Sequence, residues 1–359
     1  MQSETAQRAS HRYRNGPTSW STLDRELQAL TATPTLAHAW ADSDPWVIVG
    51  AGPSSQALLA QLALLAPQRK LIVINGEAFV PYNRAQISSA VAERRPLHTL
   101  AARLGERDNV SLTILHGVCA TAIDREQRWL HLDNGMALSY DKLILATGSR
   151  PMRLPLLQQA HPRVRDFRGL HDLRSMAALR PRHVLVVGGG LLGVEAARAS
   201  LSFCERVTLI ERFAHLLPRQ LDAACANCLA EQLTAMGVTI LTGRQLASMH
   251  CREYEVELEL DDHATLTADL VISATGVVAE VELARSAALT IDRGIVVGGN
   301  FQTCDEHIPT ALRFSGLRAK DLKRFSEQGF QLLLVPPQIG KERRADLLEV
   351  RKACVMLIV

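Results

Sequence analysis

No apolar run in this 359-residue chain approaches the 18 or so residues that a membrane-spanning helix needs, and residues 353–359 form far too short a stretch. A membrane protein is therefore not expected. Neither sign of charge dominates: 40 Lys and Arg stand against 37 Asp and Glu, a formal net charge of +3. The basic residues are spread out rather than gathered into an arm, so nucleic-acid binding has no footprint here. Cysteine is sparse, with seven copies, odd in number and scattered, and no apolar leader precedes them. That disfavours a secreted disulfide framework and predicts a reducing, cytoplasmic setting. The twelve histidines build no His-Glu-x-x-His array, no Gly-x-Ser-x-Gly elbow occurs, and no metal site is expected.

What is present is the balance of a globular protein, 47% hydrophobic and 21% charged, at a length that calls for two domains plus extensions. Residues 1–44 mix Ser, Thr, Arg and His, with only 23–30 helical in pattern, and are expected to be a loosely attached N-terminal extension. From Pro45 the pattern changes to a strand, Trp46-Val47-Ile48-Val49, then a glycine turn, an apolar helix and a second strand, which is a βαβ unit implying parallel sheet. The same succession recurs from His183, so the chain repeats its own architecture. Between the repeats lie two hairpin strands joined at Asn134-Gly135 and a further buried strand.

The two glycine turns carry the chemistry. Gly50-Ala51-Gly52-Pro53-Ser54-Ser55 follows a strand and opens a helix, where glycines let the backbone approach a pyrophosphate and the helix N-terminus stabilises its charge. Ser55 replaces the third glycine and Pro53 removes one amide donor, so a plain tight turn is the competing reading. Glu77, at the end of the next strand, is placed to accept hydrogen bonds from a ribose, or is a solvated turn acid. Gly188-Gly189-Gly190-Leu191-Leu192-Gly193 is the full form of the motif. Glu211, ending the following strand, favours the free 2′-hydroxyl of NADH over the 2′-phosphate of NADPH, although Arg212 beside it could accommodate a phosphate.

These residues, together with the run Tyr140-Asp141-Lys142-Leu143-Ile144-Leu145-Ala146-Thr147-Gly148 and with Ile272-Ser273-Ala274-Thr275-Gly276, resemble the pyridine nucleotide-disulfide oxidoreductase superfamily. The resemblance covers roughly residues 46–308. Pro81-Tyr82-Asn83-Arg84 and Ile87-Ser88-Ser89 look most like the flavin half of the NADH nitrite reductase large subunit, with rubredoxin and ferredoxin reductases as near relatives. Those relatives often carry a lysine at the position of Ser89.

The resemblance implies an α/β fold of two Rossmann-like dinucleotide-binding domains, the NAD domain inserted in the FAD domain. Its expected bounds are 45–155 for the first part of the FAD domain, 156–278 for the NAD domain and 279–308 for the return to the FAD domain. Residues 309–359 would be an atypical tail, with the usual C-terminal interface domain absent or degenerate. It further implies that Gly50, Gly52, Ser55 and Glu77 hold FAD, that Arg84 sits near the flavin and that Val118 contacts the adenine. Thr147 and Gly148 would mark the crossover between domains. Gly188, Gly190, Gly193 and Glu211 would hold NADH, with Glu195 near the nicotinamide. Without the family context, Val118 reads equally as core and Arg84 as surface charge.

The implied function is an FAD-dependent NAD(P)H oxidoreductase that passes hydride from NADH to FAD and electrons to a redox partner such as rubredoxin, ferredoxin or a nitrite reductase module. No acid–base residue stands out as catalytic. The sequence departs from the family after Ile308: Pro309-Thr310-Ala311-Leu312-Arg313 replaces a strand ending in Gly-Asp or Gly-Glu, whose acid binds the flavin ribityl chain, and cysteine sets for iron-sulfur and sirohaem groups are missing. A frameshifted or truncated end would explain this. Two rival readings follow, a decayed nucleotide-binding protein without flavin turnover and an NADH-binding regulatory subunit. Cys225-Ala226-Asn227-Cys228 has redox spacing, but lies in a helical pattern without a second pair at metal-site spacing.

Overall fold

The computed structural model describes residues 20–32, 45–66, 68–102, 111–158, 161–311, 313–314 and 354–355. Two compact units divide the chain. One takes Met1–Thr31, Arg84–Leu100 and Arg150–Val278, the other Ala32–Asn83, Ala101–Ser149 and Ala279–Val359.

In the second of these units, short unbroken apolar runs form a parallel sheet. Its strands are β1 (Trp46–Val49), β2 (Leu71–Asn75), β3 (Leu112–His116) and β7 (Lys142–Leu145), in the order β3-β2-β1-β7. Strand β1 runs parallel to both neighbours, Trp46 lying opposite Leu71 and Lys142. Both faces are covered, which is why the runs are continuous rather than alternating. Val47 and Val49 point into one cluster with Ile72, Ile74, Leu143 and Leu145, while Ile48 faces the other way, onto Leu58, Leu59 and Leu62 of the helix Pro53–Leu65. Each such fully buried side chain contributes roughly 1.5–3 kcal/mol. Strands β4 (Ala120–Asp124), β5 (Trp129–Leu132) and β6 (Ala137–Ser139) form an antiparallel sheet between β3 and β7 in sequence, with Gly135 at φ +83° in the turn joining β5 to β6.

The chain then passes through β8 (Ser149–Pro151) into the other unit, where the plan repeats. Strands β9 (Val164–Asp166), β10 (His183–Val187), β11 (Arg206–Glu211) and β12 (Val238–Thr242) are followed by β13 (Leu246–Cys251), β14 (Val256–Leu260), β15 (Thr265–Ala268) and β16 (Leu270–Ser273). The parallel sheet has the order β12-β11-β10-β16-β9, and β13-β14-β15 form an antiparallel sheet. The repetition extends to individual hydrogen bonds. Gly50 N–H donates to Ile74 O (2.9 Å) and Ala146 N–H to Val49 O (2.9 Å); in the other unit Gly188 N–H donates to Ile210 O and Ala274 N–H to Val187 O, both at 2.8 Å.

Two expectations are revised. The extension is not loosely attached where it is described: the helix Trp20–Ala29 buries Leu23 and Leu27, followed by Leu30. This happens because its apolar residues fall at i, i+4 and i+7, one helical face. Sheet pattern also continues past Ile308. Leu143 N–H donates to His307 O (2.8 Å), Leu145 N–H to Pro309 O (3.0 Å) and Ala311 N–H to Leu145 O (3.1 Å), so the segment extends the sheet along β7. Most of the expected tail, and the interface domain whose absence was expected from it, lie outside the described residues, as do residues 1–19 and 33–44 of the extension.

Among the described residues no helix is long and apolar enough to cross a membrane, and no group of three or more His, Cys, Asp or Glu is placed to hold a metal ion.

Candidate dinucleotide sites

Each parallel sheet has a topological switch point, β1 between β2 and β7 in one unit and β10 between β11 and β16 in the other. In open α/β sheets this point, beyond the carboxyl ends of the strands, is where ligands bind. Both glycine turns sit at this point.

In the Gly188 turn each glycine has a distinct reason. Gly188 has φ +110°, and a Cβ on it would strike the carbonyl of Ala274. At Gly193 a Cβ would collide with the carbonyl of Gly188, so the third glycine is what lets the helix Leu191–Ser200 approach the turn. At Gly190 a Cβ would meet nothing within 4 Å, which leaves the backbone open to a ligand. Gly190 is also the helix N-cap, with φ −75° and ψ −175°, and no side chain caps the helix. Its first N–H groups therefore point out unfilled, and the helix dipole adds positive potential.

The Gly50 turn has the same geometry. Gly50 has φ +107° and abuts the carbonyl of Ala146, while Gly52 is open within 4 Å. Gly52 caps the helix Pro53–Leu65 with φ −74° and ψ −176°, again without a side-chain cap, and Pro53 occupies the first turn. Ser55 stands where Gly193 stands in the other turn. Fully buried, it turns its hydroxyl back to donate to Gly50 O at 2.5 Å. The substitution is thus absorbed by a hydrogen bond within the turn.

An acid follows each turn. Glu211, only 5% exposed at the end of β11, accepts from Gly189 N–H at 2.6 Å and from Phe213 N–H at 2.8 Å. Each oxygen keeps a second lone pair for a further donor. Glu77 accepts from the Tyr82 hydroxyl at 2.7 Å, and Gln56 Nε2 donates to Tyr82 O at 2.9 Å, tying that tyrosine to the helix of the turn. Tyr82 and Gln56 were not singled out from the sequence. Tyr82 lay inside the Pro81–Arg84 motif, but nothing local announces that its hydroxyl reaches Glu77.

Val118 is buried in the apolar cluster behind β1 and β2, and its N–H donates to Asn75 O at 3.3 Å. Thr147 donates its hydroxyl to Glu280 O (2.8 Å), and Gly148 O accepts from Glu280 N–H (3.0 Å). Arg84 begins the short turn Arg84–Gln86 and is half-buried. It belongs to the compact unit of the Gly188 turn, not to that of the Gly50 turn.

Glu195 projects from the helix Leu191–Ser200 and accepts from the Ser88 hydroxyl at 3.1 Å. Loss of water where the carboxyl meets the packed atoms pushes its pKa up, against the opposing pull of Ser88 and Arg198, although the residue as a whole stays exposed. The residue facing Glu195 is therefore Ser88. Ser89, the residue noted from the family comparison, donates to Gln86 O and accepts from Arg95. Cys225 and Cys228 are exposed on the helix Ala223–Ala235, and Asp222 caps that helix through Cys225 N–H at 2.8 Å.

The family model described as pyridine nucleotide-disulphide oxidoreductase matches residues 44–309. Putidaredoxin reductase of Pseudomonas putida is 31% identical over 278 residues, covering 73% of this chain and 65% of that protein. The NAD(P)H nitrite reductase of Bacillus subtilis strain 168 is 30% identical over 268 residues, covering 73% of this chain but 33% of that protein. Among solved structures, that of the covalent putidaredoxin reductase–putidaredoxin complex superposes with a TM-score of 0.68 at 29% identity, over 75% of this chain and 67% of the other. The chain thus spans between about a third and two thirds of the curated relatives it matches here. With two Rossmann-type units and a family match across most of its length, the chain belongs to the pyridine nucleotide-disulphide oxidoreductase family.

Proposed function

We propose that this chain is an FAD-dependent NAD(P)H oxidoreductase that takes reducing equivalents from NADH and delivers them to a protein acceptor. One observation carries the reading: two glycine turns of near-identical geometry, each with an open second glycine, an uncapped helix N-terminus and a carboxylate at the end of the next strand.

The residues fit two dinucleotides. At Gly52 and Gly190 a Cβ would stand in the space through which a pyrophosphate reaches the free N–H groups. Gly188, Gly190, Gly193 and Glu211 would hold NADH, Glu211 selecting the free 2′-hydroxyl so that NADPH is disfavoured, and Glu195 would lie near the nicotinamide. Gly50 and Gly52 would hold the FAD pyrophosphate and Glu77 its ribose, with Ser55 closing the turn behind them, Val118 against the adenine, Arg84 near the flavin, and Thr147 and Gly148 where the chain changes domain. Bound together, the cofactors supply the hydride transfer from nicotinamide to flavin. The chain's own contribution is to bind, orient and exclude water. Glu211 and Glu77 would accept from ribose hydroxyls, and the Ser88–Glu195 pair offers a hydroxyl and a carboxyl whose pKa burial holds above the ordinary glutamate value.

For the acceptor we infer a small redox protein of the ferredoxin or rubredoxin class, or a nitrite reductase module, reached in the cytoplasm. The reductase names of the relatives support this class.

The test is the visible absorption spectrum of the purified protein before and after NADH. A flavin band that bleaches on NADH addition supports the reading. A colourless protein that cannot be reconstituted with FAD overturns it in favour of a nucleotide-binding protein without flavin turnover.

A further inference from the structure

Ser88 and Glu195 lie far apart in sequence and on different elements, the short helix Ile87–Ala92 and the helix Leu191–Ser200. These two helices pack directly against each other, and the helix Trp20–Ala29 contacts the chain just beyond each of them, at the turn Leu97–Leu100 and at Phe203. The Glu26 carboxylate accepts from Leu97 N–H at 3.1 Å, in the segment that carries Ser88. The Trp20 ring packs against Phe203, 5.1 Å between centroids, at the end of the helix that carries Glu195. At the other end, Arg174 donates to Leu27 O (3.4 Å) and to the Thr31 hydroxyl (2.7 Å), which itself donates to Leu27 O (3.1 Å), closing the end of the helix. The helix is locked down by Leu27, at 0% exposure, and Leu30, at 2%. All of these contacts lie within one compact unit, and the helix itself stands ahead of the family-matched region, which begins at residue 44.

We propose that the helix Trp20–Ala29 is a positioning clamp for the Ser88–Glu195 contact, gripping the turn that follows the Ser88 helix through Glu26 and the loop that follows the Glu195 helix through Trp20. The clamp deepens the NADH reading in that it assigns a support to Glu195, but the geometry it claims exists without any nucleotide. The groups that set the titration of Glu195 are the Ser88 hydroxyl and Arg198 on its own helix; on the facing segment Glu93 meets Arg198 at 3.6 Å and Arg95 at 3.0 Å. If the segment loosens, Glu195 gains water and loses its hydroxyl partner together; desolvation is the larger of the two influences, so its pKa falls toward the ordinary glutamate value.

The experiment uses the full chain without added nucleotide, comparing wild type with Glu26→Ala, Glu26→Gln and Trp20→Ala. Amide exchange is followed across residues 84–100 and the Glu195 carboxyl is titrated by carbon NMR. Expected are exchange at Leu97 faster by roughly tenfold in Glu26→Ala, a displaced Glu195 midpoint, and recovery of both in Glu26→Gln, whose amide oxygen still accepts. Trp20→Ala should displace the midpoint while leaving the Glu26–Leu97 bond intact, so it tests the second grip even if Glu26→Ala folds poorly. An unchanged Glu195 midpoint in both Glu26→Ala and Trp20→Ala overturns the clamp, and so does failure of Glu26→Gln to restore what Glu26→Ala loses. Titration of NADH into wild type is read separately. Absence of binding there sinks the NADH reading and leaves the clamp result standing.

Discussion

The Ser88 hydroxyl donates to the Glu195 carboxylate across 3.1 Å and 107 positions of sequence. Ser88 is 9% exposed, so its hydroxyl has little water to turn to, and Glu195 is its partner of opposite hydrogen-bonding character. Arg198, one turn along the same helix, leans instead toward Glu93. The direct partner of the carboxyl is thus a neutral donor, and desolvation outweighs the pull of Ser88 and Arg198 and keeps its pKa above the ordinary glutamate value.

Ser88→Ala removes the contact that pulls this pKa down and should move the Glu195 midpoint further up. The sign for stability follows from linkage: a folded-state pKa above the unfolded one means a contribution present at low pH and lost as pH rises through the folded value. Glu195→Gln should therefore gain in urea midpoint over wild type at pH 8 relative to pH 4. Equal differences at the two pH values would sink this account of the pair.

Two neighbouring glycines separate folding from binding. Gly193→Ala places a methyl against the backbone carbonyl of Gly188 and should cost roughly 1–3 kcal/mol or more in stability, as overpacking does. Gly190→Ala meets nothing within 4 Å and keeps an ordinary φ of −75°. It should unfold like wild type while weakening NADH binding by roughly tenfold or more, about 1.4 kcal/mol. Thermal melts beside NADH titrations make the comparison, and a Gly190→Ala protein with unaltered affinity would remove the turn from the site.

Much of this was readable beforehand because it is local. The strands of both sheets are unbroken apolar runs, and the Gly188 turn shows its three glycines at the spacing that the backbone demands. What could not be read is what long-range packing decides. Leu23, Leu27 and Leu30 show a helical stripe but not its partner, and Glu26 finds Leu97 71 positions away. A helix as short as Ile87–Ala92 gives too little periodicity to tell Ser88 from Ser89. The strand pairing of 307–311 along β7 was hidden because Pro309 reads as a breaker, yet its carbonyl still accepts from Leu145 N–H.

Ser55 can be tested as the serine that replaces a glycine. Ser55→Gly loses the hydroxyl bond to Gly50 O, worth about 1 kcal/mol, and gains a glycine's backbone freedom in a helix, about another 0.5 kcal/mol relative to serine. Stability should fall by the sum, roughly 1.5 kcal/mol, with FAD retention unchanged, since Gly52 and the helix N-terminus remain as they were. If FAD were lost along with the hydroxyl, Ser55 would be a ligand rather than a packing residue.

Glu211 joins stability to selectivity. Its two oxygens accept from Gly189 and Phe213 N–H, so Glu211→Gln replaces one acceptor by an amide nitrogen facing a donor. Leaving one of these N–H groups unmet in a buried site costs roughly 1–3 kcal/mol, visible in the urea midpoint without any nucleotide. The same change removes the negative charge that opposes a 2′-phosphate, so the preference for NADH over NADPH should narrow by roughly tenfold. Arg212 provides the control. Its guanidinium lies over the Phe213 ring at 4.5 Å from the centroid, a stacked arrangement that occupies the cation. Arg212→Ala should therefore leave the NADH preference within about twofold of wild type. If Arg212→Ala instead raised the preference as much as Glu211→Gln lowered it, the arginine would be a phosphate ligand and selectivity would be shared between the two residues.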